Sequence, residues 1–299
     1  MNIVILSKGP TLYSTQSLAK AAQKRGHTVK VLDYGRCNLF IEKGNIKVYY
    51  EHAILDNIHG VIPRIGASGT AQGASIITQF EALGVPTTIS AMPLLEVRDK
   101  LHCLQKLSQH SIPTPKTVLA TFDTPIVNLI HQLGGFPIVL KLLQSTHGEG
   151  VFLVNNLPHL KASMSTFHHL QERFLLQEFI AEAKGRDVRV LIVAGQVIAA
   201  MERQAKAGEF RSNLHQGATA APTALTASEA ELVKKVMQIL KLEVAGIDLL
   251  RSNRGPLILE VNASPGLEGI EAITGIDVAT KIIEVLEAKH RTATATSVK

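Results

Sequence analysis

The sequence predicts an α/β protein that opens with a doubly wound unit and continues with α+β units. Two observations favour that opening. Residues 3–6 and 29–32 are short apolar runs typical of buried strands, and residues 14–26 between them are predicted as a helix. A third observation is a hairpin pattern late in the chain. With 299 residues, 45% of them hydrophobic, the chain is long enough for two or three compact units.

The first unit is predicted to span residues 1–97. A strand ending at 61–64, a helix at 71–83 and a short strand at 86–89 complete it. The first strand is not followed by G-x-G-x-x-G, so no NAD site is predicted. Ligands of such sheets gather beyond the carboxyl ends of the strands. Arg64, Ser68 and Thr70 are therefore candidate substrate contacts.

A second unit is predicted for residues 98–183. A helix from residue 98 to about 109 is interrupted by Pro113 and Pro115. The elements expected after it are a helix at 123–134, strands at 137–141 and 151–154, a helix near 158–172 and a strand at 175–180.

The third unit is predicted for residues 184–290. A hairpin of 187–193 and 196–202 is expected first, then a helix at 228–240, a second hairpin around residue 254 and a closing helix at 277–290. Residues 291–299 are rich in Thr, Ala and Ser and lack an apolar period. We expect them to form a disordered, flexible tail.

The second hairpin carries a candidate metal site. Alternation puts Glu260 and Asn262 on one face, with Leu259 and Val261 facing the core. A five-residue loop at 252–256 would pair Arg251 with Leu257 and put Asp248 opposite Glu260. Such hard oxygen ligands suit Mg²⁺ or Mn²⁺. The alternative, equally supported by the two acids alone, is that they pair with Lys or Arg.

Lys141 ends a buried strand and precedes a loop with hydroxyls and glycines. Such a loop can offer backbone N–H groups and hydroxyls to phosphate, beside the charge of Lys141. Its spacing is not that of a P-loop, and a glycine hairpin loop without a ligand is the alternative. The candidate residues in this loop are Ser145, Thr146, Gly148 and Gly150.

Further polar groups could complete a nucleotide site. An extended stretch at Glu178 and Phe179 exposes backbone groups that could contact an adenine edge. Arginines clustered downstream could bind phosphoryl oxygens or a substrate carboxylate, or could form ordinary surface salt bridges. The candidates are Asp187, Arg189, Arg203, Arg211 and Asn213.

Composition narrows the function classes. The formal charge of +6 is spread along the chain, and 4% aromatic content without Trp argues against a nucleic-acid surface. An anionic substrate explains the charge at least as well. No apolar run is long enough for a membrane span, so a cytoplasmic protein without a membrane partner is expected. Cys37 and Cys103 are too isolated for a disulfide framework or zinc site.

Together these segments resemble an ATP-grasp carboxylate–amine ligase of the RimK type, the family of ribosomal small-subunit protein glutamate ligases and alpha-L-glutamate ligases. The resemblance covers all but the terminal tail. It implies an ATP-grasp fold behind a pre-ATP-grasp domain. The matching segments are MNIVILS at 1–7, TLYS at 11–14, VIPRIG at 61–66, RDK at 98–100, VLK at 139–141, QE at 177–178, ER at 202–203, FRSNLH at 210–215, RGP at 254–256 and EVNASPGLEG at 260–269.

The resemblance also implies roles for individual residues. Lys100 and Lys141 would contact the phosphates of ATP, under a clamp formed by 145–150. Backbone at Glu178 and Phe179 would contact adenine, with Asp187 near the ribose. The terminal phosphate would meet Arg211, Ser212 and Asn213, and one or two Mg²⁺ or Mn²⁺ ions would bind Asp248, Glu260 and Asn262. Arg211 and Lys141 would act in catalysis, and Arg64, Ser68 and Arg203 would contact substrate.

The implied activity is ATP-dependent addition of L-glutamate to the C-terminal carboxylate of the sixth protein of the ribosomal small subunit, through an acyl phosphate. The resemblance also implies that some members join free glutamates into poly-alpha-glutamate, and it suggests a homo-oligomer. Two alternatives remain open. One is an ATP-grasp amino-acid ligase acting on a cofactor precursor or small peptide, and the other is a non-catalytic, nucleotide-gated protein that binds the ribosome.

Overall fold

A computed structural model describes residues 1–121, 125–143, 150–214 and 217–297. The first unit alternates strands and helices, as predicted. Three of its strands form a parallel sheet of order β2-β1-β6. Its elements are β1 Asn2–Ser7, α1 Tyr13–Lys24, β2 Thr28–Leu32, β3 Cys37–Glu42, β4 Asn45–Tyr50, β5 Ala53–Ile54, β6 Gly60–Arg64, α2 Thr70–Ala82 and α3 Ala91–Arg98.

Strand β1 is buried along nearly its whole length because it lies at the centre of this parallel sheet. Two features of the unit differ from the sequence prediction. Strands β3, β4 and β5 form a separate antiparallel sheet that the sequence analysis missed. The strand expected at 86–89 is reduced to one bridge between Thr87 and Val61, since Pro86 has no N–H to offer a ladder.

The second unit is an antiparallel sheet of order β7-β10-β8-β9 with helices against it. The helix expected from residue 98 is split at Asp99, whose side chain accepts a bond from the His102 N–H at 2.9 Å and so begins a new helix. The elements are α4 Lys100–Gln109, β7 Thr117–Leu119, α5 Ile126–Leu133, β8 Ile138–Leu142, β9 Val151–Val154, α6 Leu157–His169 and β10 Phe174–Glu178.

The third unit is built on a five-stranded antiparallel sheet of order β13-β12-β11-β14-β15. Its two hairpins and both long helices were predicted, whereas β13 and α8 were not. The elements are β11 Arg186–Val193, β12 Gln196–Gln204, β13 Thr219–Pro222, α7 Ala227–Leu240, β14 Val244–Ser252, β15 Gly255–Asn262, α8 Glu268–Thr274 and α9 Val278–Ser297.

The first and third units share one hydrophobic core. Val61 of β6, Leu94 of α3, Val236 of α7 and Ile247 of β14 all belong to it and are fully buried. The carboxyl end of β6 is tied to the segment after β15, because Arg64 Nη2 donates to the Pro265 carbonyl at 2.7 Å. This packing brings the ends of β1 and β6 to the edge of the five-stranded sheet.

The β14–β15 hairpin differs in detail from its prediction. Its loop has two residues rather than five, because Ser252 pairs with Gly255 and Arg251 pairs with Pro256 rather than Leu257. Between Asp248 and Leu249, a bulge on the opposite strand β15 shifts the register by one residue. Asp248 therefore does lie opposite Glu260. Leu259, expected in the core, is the extra residue of this bulge and is only half-buried.

The structure also corrects the prediction of a flexible tail, because α9 continues through Ser297. Residues 291–297 contain Ala and Thr but no Gly or Pro to stop a helix. The Thr292 hydroxyl also donates to the Ala288 carbonyl at 3.1 Å, and Thr294 does the same to His290 at 3.0 Å. Of the helices in the described part of the chain, none has both the length and the apolar character to cross a membrane.

Candidate active site

Charged side chains from four adjacent strands lie on one face of the five-stranded sheet. The register pairs Arg203 of β12 with Asp187 of β11, Arg189 of β11 with Asp248 of β14, and Asp248 with Glu260 of β15. Side chains two residues apart on a strand share a face, and direct partners on neighbouring strands stand side by side. The pleat therefore gathers three carboxylates and two guanidinium groups in one patch.

Most of these charges are paired and withdrawn from water. Arg203 donates to both oxygens of Asp187, at 2.7 and 2.6 Å, and its Nη2 also lies 3.1 Å from Asp248 Oδ2. Arg189 binds Asp248 through Nε and, at 2.7 Å, through Nη2. Asp187, Arg203 and Asp248 are 5%, 8% and 4% exposed. For Asp248, the alternative of pairing with arginine is thus present in this structure.

Gly246 lies between Arg189 and the segment that follows β15. A Cβ on Gly246 would stand 3.5 Å from Arg189 Cδ and 2.9 Å from Pro265 Cβ. A larger residue at this position would push on Pro265. Gly246 therefore leaves room for the segment that follows β15, whereas Arg189 would stay at ordinary contact distance from an added Cβ.

The arginines keep Asp248 ionised. Burial alone would raise the pKa of its carboxyl, but Arg189 and Arg203 outweigh burial and lower the pKa to about 2. The pKa of Arg203 is raised, because Asp248 and Asp187 outweigh its burial. The stabilisation from Asp248 is therefore fully present above an unfolded pKa near 4 and is lost as pH falls towards 2.

Glu260 and Asn262 complete the candidate metal ligands. Glu260 is exposed and Asn262 is half-buried. Within the described ranges, no cation lies at ion-pair distance from Glu260, and no three His, Cys, Asp or Glu side chains are grouped to hold a metal. Two carboxylates and an amide nevertheless fit a Mg²⁺ ion, which keeps several ligands from water and phosphate. Asp248 would have to exchange part of its contact with Arg189.

Three cations outside the five-stranded sheet interact electrostatically with Glu260. They are Arg98, Lys100 and Lys141. Lys141 lies on β8 and Lys100 opens α4, where its Nζ donates to the Leu142 carbonyl at 3.2 Å. Burial lowers the pKa of Lys141 to about 8, against the opposing effect of Glu260. Burial also lowers the pKa of Lys100 and that of Arg98.

The substrate candidates of the first unit lie at the end of β6. Burial and the like charge of Arg98 lower the pKa of Arg64 to about 10. Arg98 donates through Nη2 to the Ile65 carbonyl, while its buried Nε has no partner in the described structure. Ser68 is exposed in the short turn before α2. Arg98, which was not predicted as a site residue, thus interacts electrostatically with both Arg64 and Glu260.

The adenine candidates lie where β10 leaves the second unit. The Glu178 N–H donates to the Lys116 carbonyl at 2.9 Å, and its carboxylate accepts from the Lys116 N–H at 2.7 Å and from Arg254. The N–H of Glu178 is therefore used by the protein. The ring of Phe179 meets the ring of Phe210 edge-on, with 6.3 Å between centroids.

The terminal-phosphate candidates occupy the segment after β12. Arg211 Nη2 donates to Glu209 Oε2 at 2.8 Å, and its Nε donates to Oε1 at 3.2 Å. Ser212 is buried and its hydroxyl lies close enough to Asp187 to lower the pKa of that carboxyl, so this segment lies beside the charged face. Asn213 is half-buried, and its carbonyl accepts from the Ala218 N–H.

Part of the predicted phosphate loop lies outside the described residues, namely Ser145, Thr146 and Gly148. Gly150 is described: it is buried, and its carbonyl accepts from the Leu142 N–H at 2.8 Å, which places it beside Lys141. Two contacts of the site residues were not predicted, that of Glu209 with Arg211 and that of Arg254 with Glu178. Glu209 and Arg254 are charged residues next to predicted site segments, and that proximity was the only signal for them.

The ion pairs of Asp248 with Arg189 and Arg203 lead to a prediction about the free energy of unfolding. Replacing Asp248 by Ala leaves Arg189 and Arg203 buried without their shared carboxylate, which we expect to cost about 3–5 kcal/mol. Glu260→Gln changes an exposed side chain and should stay within about 0.5 kcal/mol of the parent. Urea denaturation at pH 7 measures both. Equal stability of the two variants would contradict the assigned network.

The lowered pKa of Lys141 leads to a second prediction, about how the free energy of unfolding depends on pH. Its pKa falls from 10.5 to about 8 on folding, so its charge disfavours the folded state below pH 8, and this penalty vanishes above pH 10.5. Lys141→Met should raise the free energy of unfolding at pH 7 by roughly 1–3 kcal/mol and change it little at pH 10.5. Chemical denaturation at both pH values tests this. A Met variant that is less stable at pH 7 would show that the ammonium stabilises the fold.

Two family models match this chain. The RimK pre-ATP-grasp domain matches residues 1–94, and the RimK-like ATP-grasp domain matches residues 97–286. The two together cover nearly the entire chain.

Curated relatives are similar over almost their whole length. A protein of Trichodesmium erythraeum is 48% identical over 96% of both chains, and one of Aeromonas salmonicida is 46% identical over 97% of both. Each of these relatives is named a probable alpha-L-glutamate ligase.

Solved structures share the fold at lower identity. The ATP-grasp ligase PsnB, complexed with its minimal precursor, has a TM-score of 0.75 at 18% identity, covering 96% of this chain and 98% of PsnB. The D-alanine–D-alanine ligase of Bacillus anthracis complexed with ATP has a TM-score of 0.72 at 17% identity, covering 99% of each chain. With the family models and relatives, these likenesses show that the chain belongs to the RimK-like ATP-grasp family of ATP-dependent carboxylate–amine ligases.

Proposed function

We propose that this ligase adds L-glutamate to the C-terminal carboxylate of a ribosomal small-subunit protein, using ATP and an acyl-phosphate intermediate. The observation that carries the proposal is the position of Glu260. Its exposed carboxylate lies beside Asp248 and within the field of Lys100 and Lys141. The names of the full-length relatives support glutamate as the amino acid that is joined.

The reaction has two bond-forming steps. A carboxylate oxygen of the acceptor attacks the γ-phosphorus of ATP, the bond to the β,γ-bridging oxygen breaks, and ADP leaves. The amine of glutamate then attacks the acyl carbon, phosphate leaves with the bonding electrons, and the nitrogen loses a proton. Positioning and charge neutralisation dominate such phosphoryl transfers. No covalent intermediate on the enzyme is required.

Cations from two units would neutralise the phosphates of ATP. Lys141 and Lys100 belong to the second unit, and Arg211 belongs to the segment after β12, where the neutral side chains of Ser212 and Asn213 would add hydrogen bonds. Binding of phosphate would favour the charged form of Lys141, whose pKa is about 8 without a ligand. Mg²⁺ or Mn²⁺ held by Asp248, Glu260 and Asn262 would supply further neutralisation of the phosphate oxygens.

The substrate contacts need one revision. Arg203 binds Asp187 and Asp248 and is 8% exposed, so we assign it to positioning these carboxylates rather than to contact with substrate. Asp187 is likewise held by two nitrogens of Arg203. Arg64 keeps its proposed role as a partner for a substrate carboxylate, since its interaction with the Pro265 carbonyl uses one of several N–H groups.

Intact-mass spectrometry of the acceptor protein tests this function. After incubation with the enzyme, ATP, Mg²⁺ and glutamate, we expect a ladder of glutamyl additions that requires ATP. Glu260→Gln should fold normally and reduce the rate at least 100-fold, as expected for loss of a metal ligand that positions phosphate.

A parallel reaction without acceptor serves as the control. ATP-dependent glutamate oligomers there, with no change in acceptor mass, would move the proposal to free glutamate as acceptor. No product in either reaction, or full activity of Glu260→Gln, would contradict the proposal.

A further inference from the structure

The pair formed by Arg211 and Glu209 has a specific geometry. Two guanidinium nitrogens of Arg211, Nε and Nη2, donate to the two oxygens of one carboxylate, at 3.2 and 2.8 Å. This fork is the arrangement by which Arg also binds phosphate oxygens. Glu209 therefore occupies donor groups that a phosphate would need.

Glu209 is itself fixed by the backbone. Its Oε1 accepts from the N–H of Phe210 at 2.9 Å and from the N–H of Arg211 at 3.2 Å. The bonds from Arg211 together with these backbone bonds lower the pKa of Glu209 to about 2. The carboxylate is thus charged and held in place at neutral pH.

The residues on either side of Arg211 are held by contacts of their own, and the Arg211 side chain is partly exposed. Phe210 packs edge-on against Phe179, and the Arg211 guanidinium lies 5.9 Å from the Phe210 ring centroid. On the other side, Ser212 is buried. Both neighbours of Arg211 are therefore anchored, and its side chain is 28% exposed and faces water on one side.

We propose that Glu209 is a positioning residue that holds Arg211 away from the nucleotide until a terminal phosphate displaces it. This rests on the proposed role of Arg211 at the terminal phosphate. Glu209 competes with that phosphate, so it weakens binding of a triphosphate and speeds release of the phosphate product. A diphosphate, which has no third phosphate, does not engage this exchange.

The test compares the affinities of the full-length protein for AMPPNP and for ADP, both with Mg²⁺, by isothermal titration calorimetry. Glu209→Gln keeps an oxygen for the backbone N–H groups but loses the charge. Because a partly exposed ion pair is weak, we expect AMPPNP to bind roughly two- to fivefold more tightly, with ADP affinity unchanged. Glu231→Gln, on the exposed side of α7, is the matched control and should change neither affinity.

A second variant separates the charge effect from a structural one. In an Arg211→Gln background, Glu209→Gln should have no further effect on AMPPNP affinity, since the competing donor is gone. Unchanged or weaker AMPPNP binding in the single variant, or an equal change for ADP, would overturn the role of Glu209. Failure of the parent protein to bind AMPPNP would instead count against the proposed function.

Discussion

The arrangement of the site depends on ion pairs that join three adjacent strands. Arg203 connects Asp187 of β11 to Asp248 of β14, and Arg189 binds Asp248 from β11. Breaking such a buried network by removing one partner is costly, because the remaining charges stay in a poorly solvated place. The network therefore stabilises the part of the sheet on which Glu260 lies. Phosphates and a cation would bind at this place.

Charge compensation within the ligand-free protein is uneven, and this unevenness distinguishes the parts of the site. Asp248 and Arg211 are each held by an oppositely charged side chain, whereas Glu260 is exposed and Lys141 is half-buried at a cost to its charge. Binding of a nucleotide with its metal ion would replace part of the ion pairs of Asp248 and Arg211. It would also supply partners for Glu260 and Lys141. Such exchange favours ligands that carry both a cation and phosphates, because each supplies a partner for what the other displaces.

The sequence predicts much of this, and its failures have physical causes. Apolar runs predicted the three units, and alternation along β15 predicted that Glu260 and Asn262 share a face. The pairing of Asp248 with Glu260 was predicted from a five-residue loop that the structure does not contain. The turn and bulge that produce it were not predicted, because a shorter loop and one extra residue give the same pairing at that position. The β3–β4 hairpin was missed. The pairing of Asp248 with arginines was left as an open alternative, since partners from distant strands cannot be read from spacing.

The central claim is that the arginine-paired face binds a metal through Asp248 and Glu260. The most direct measurement is a crystal structure with Mn²⁺ and AMPPNP, in which anomalous scattering locates the metal. The account predicts a peak about 2.0–2.3 Å from oxygens of Asp248, Glu260 and Asn262, with Asp248 released from part of its contact with Arg189. A metal bound elsewhere, with Asp248 still held by both nitrogens of Arg189 and Glu260 facing only solvent, would contradict it.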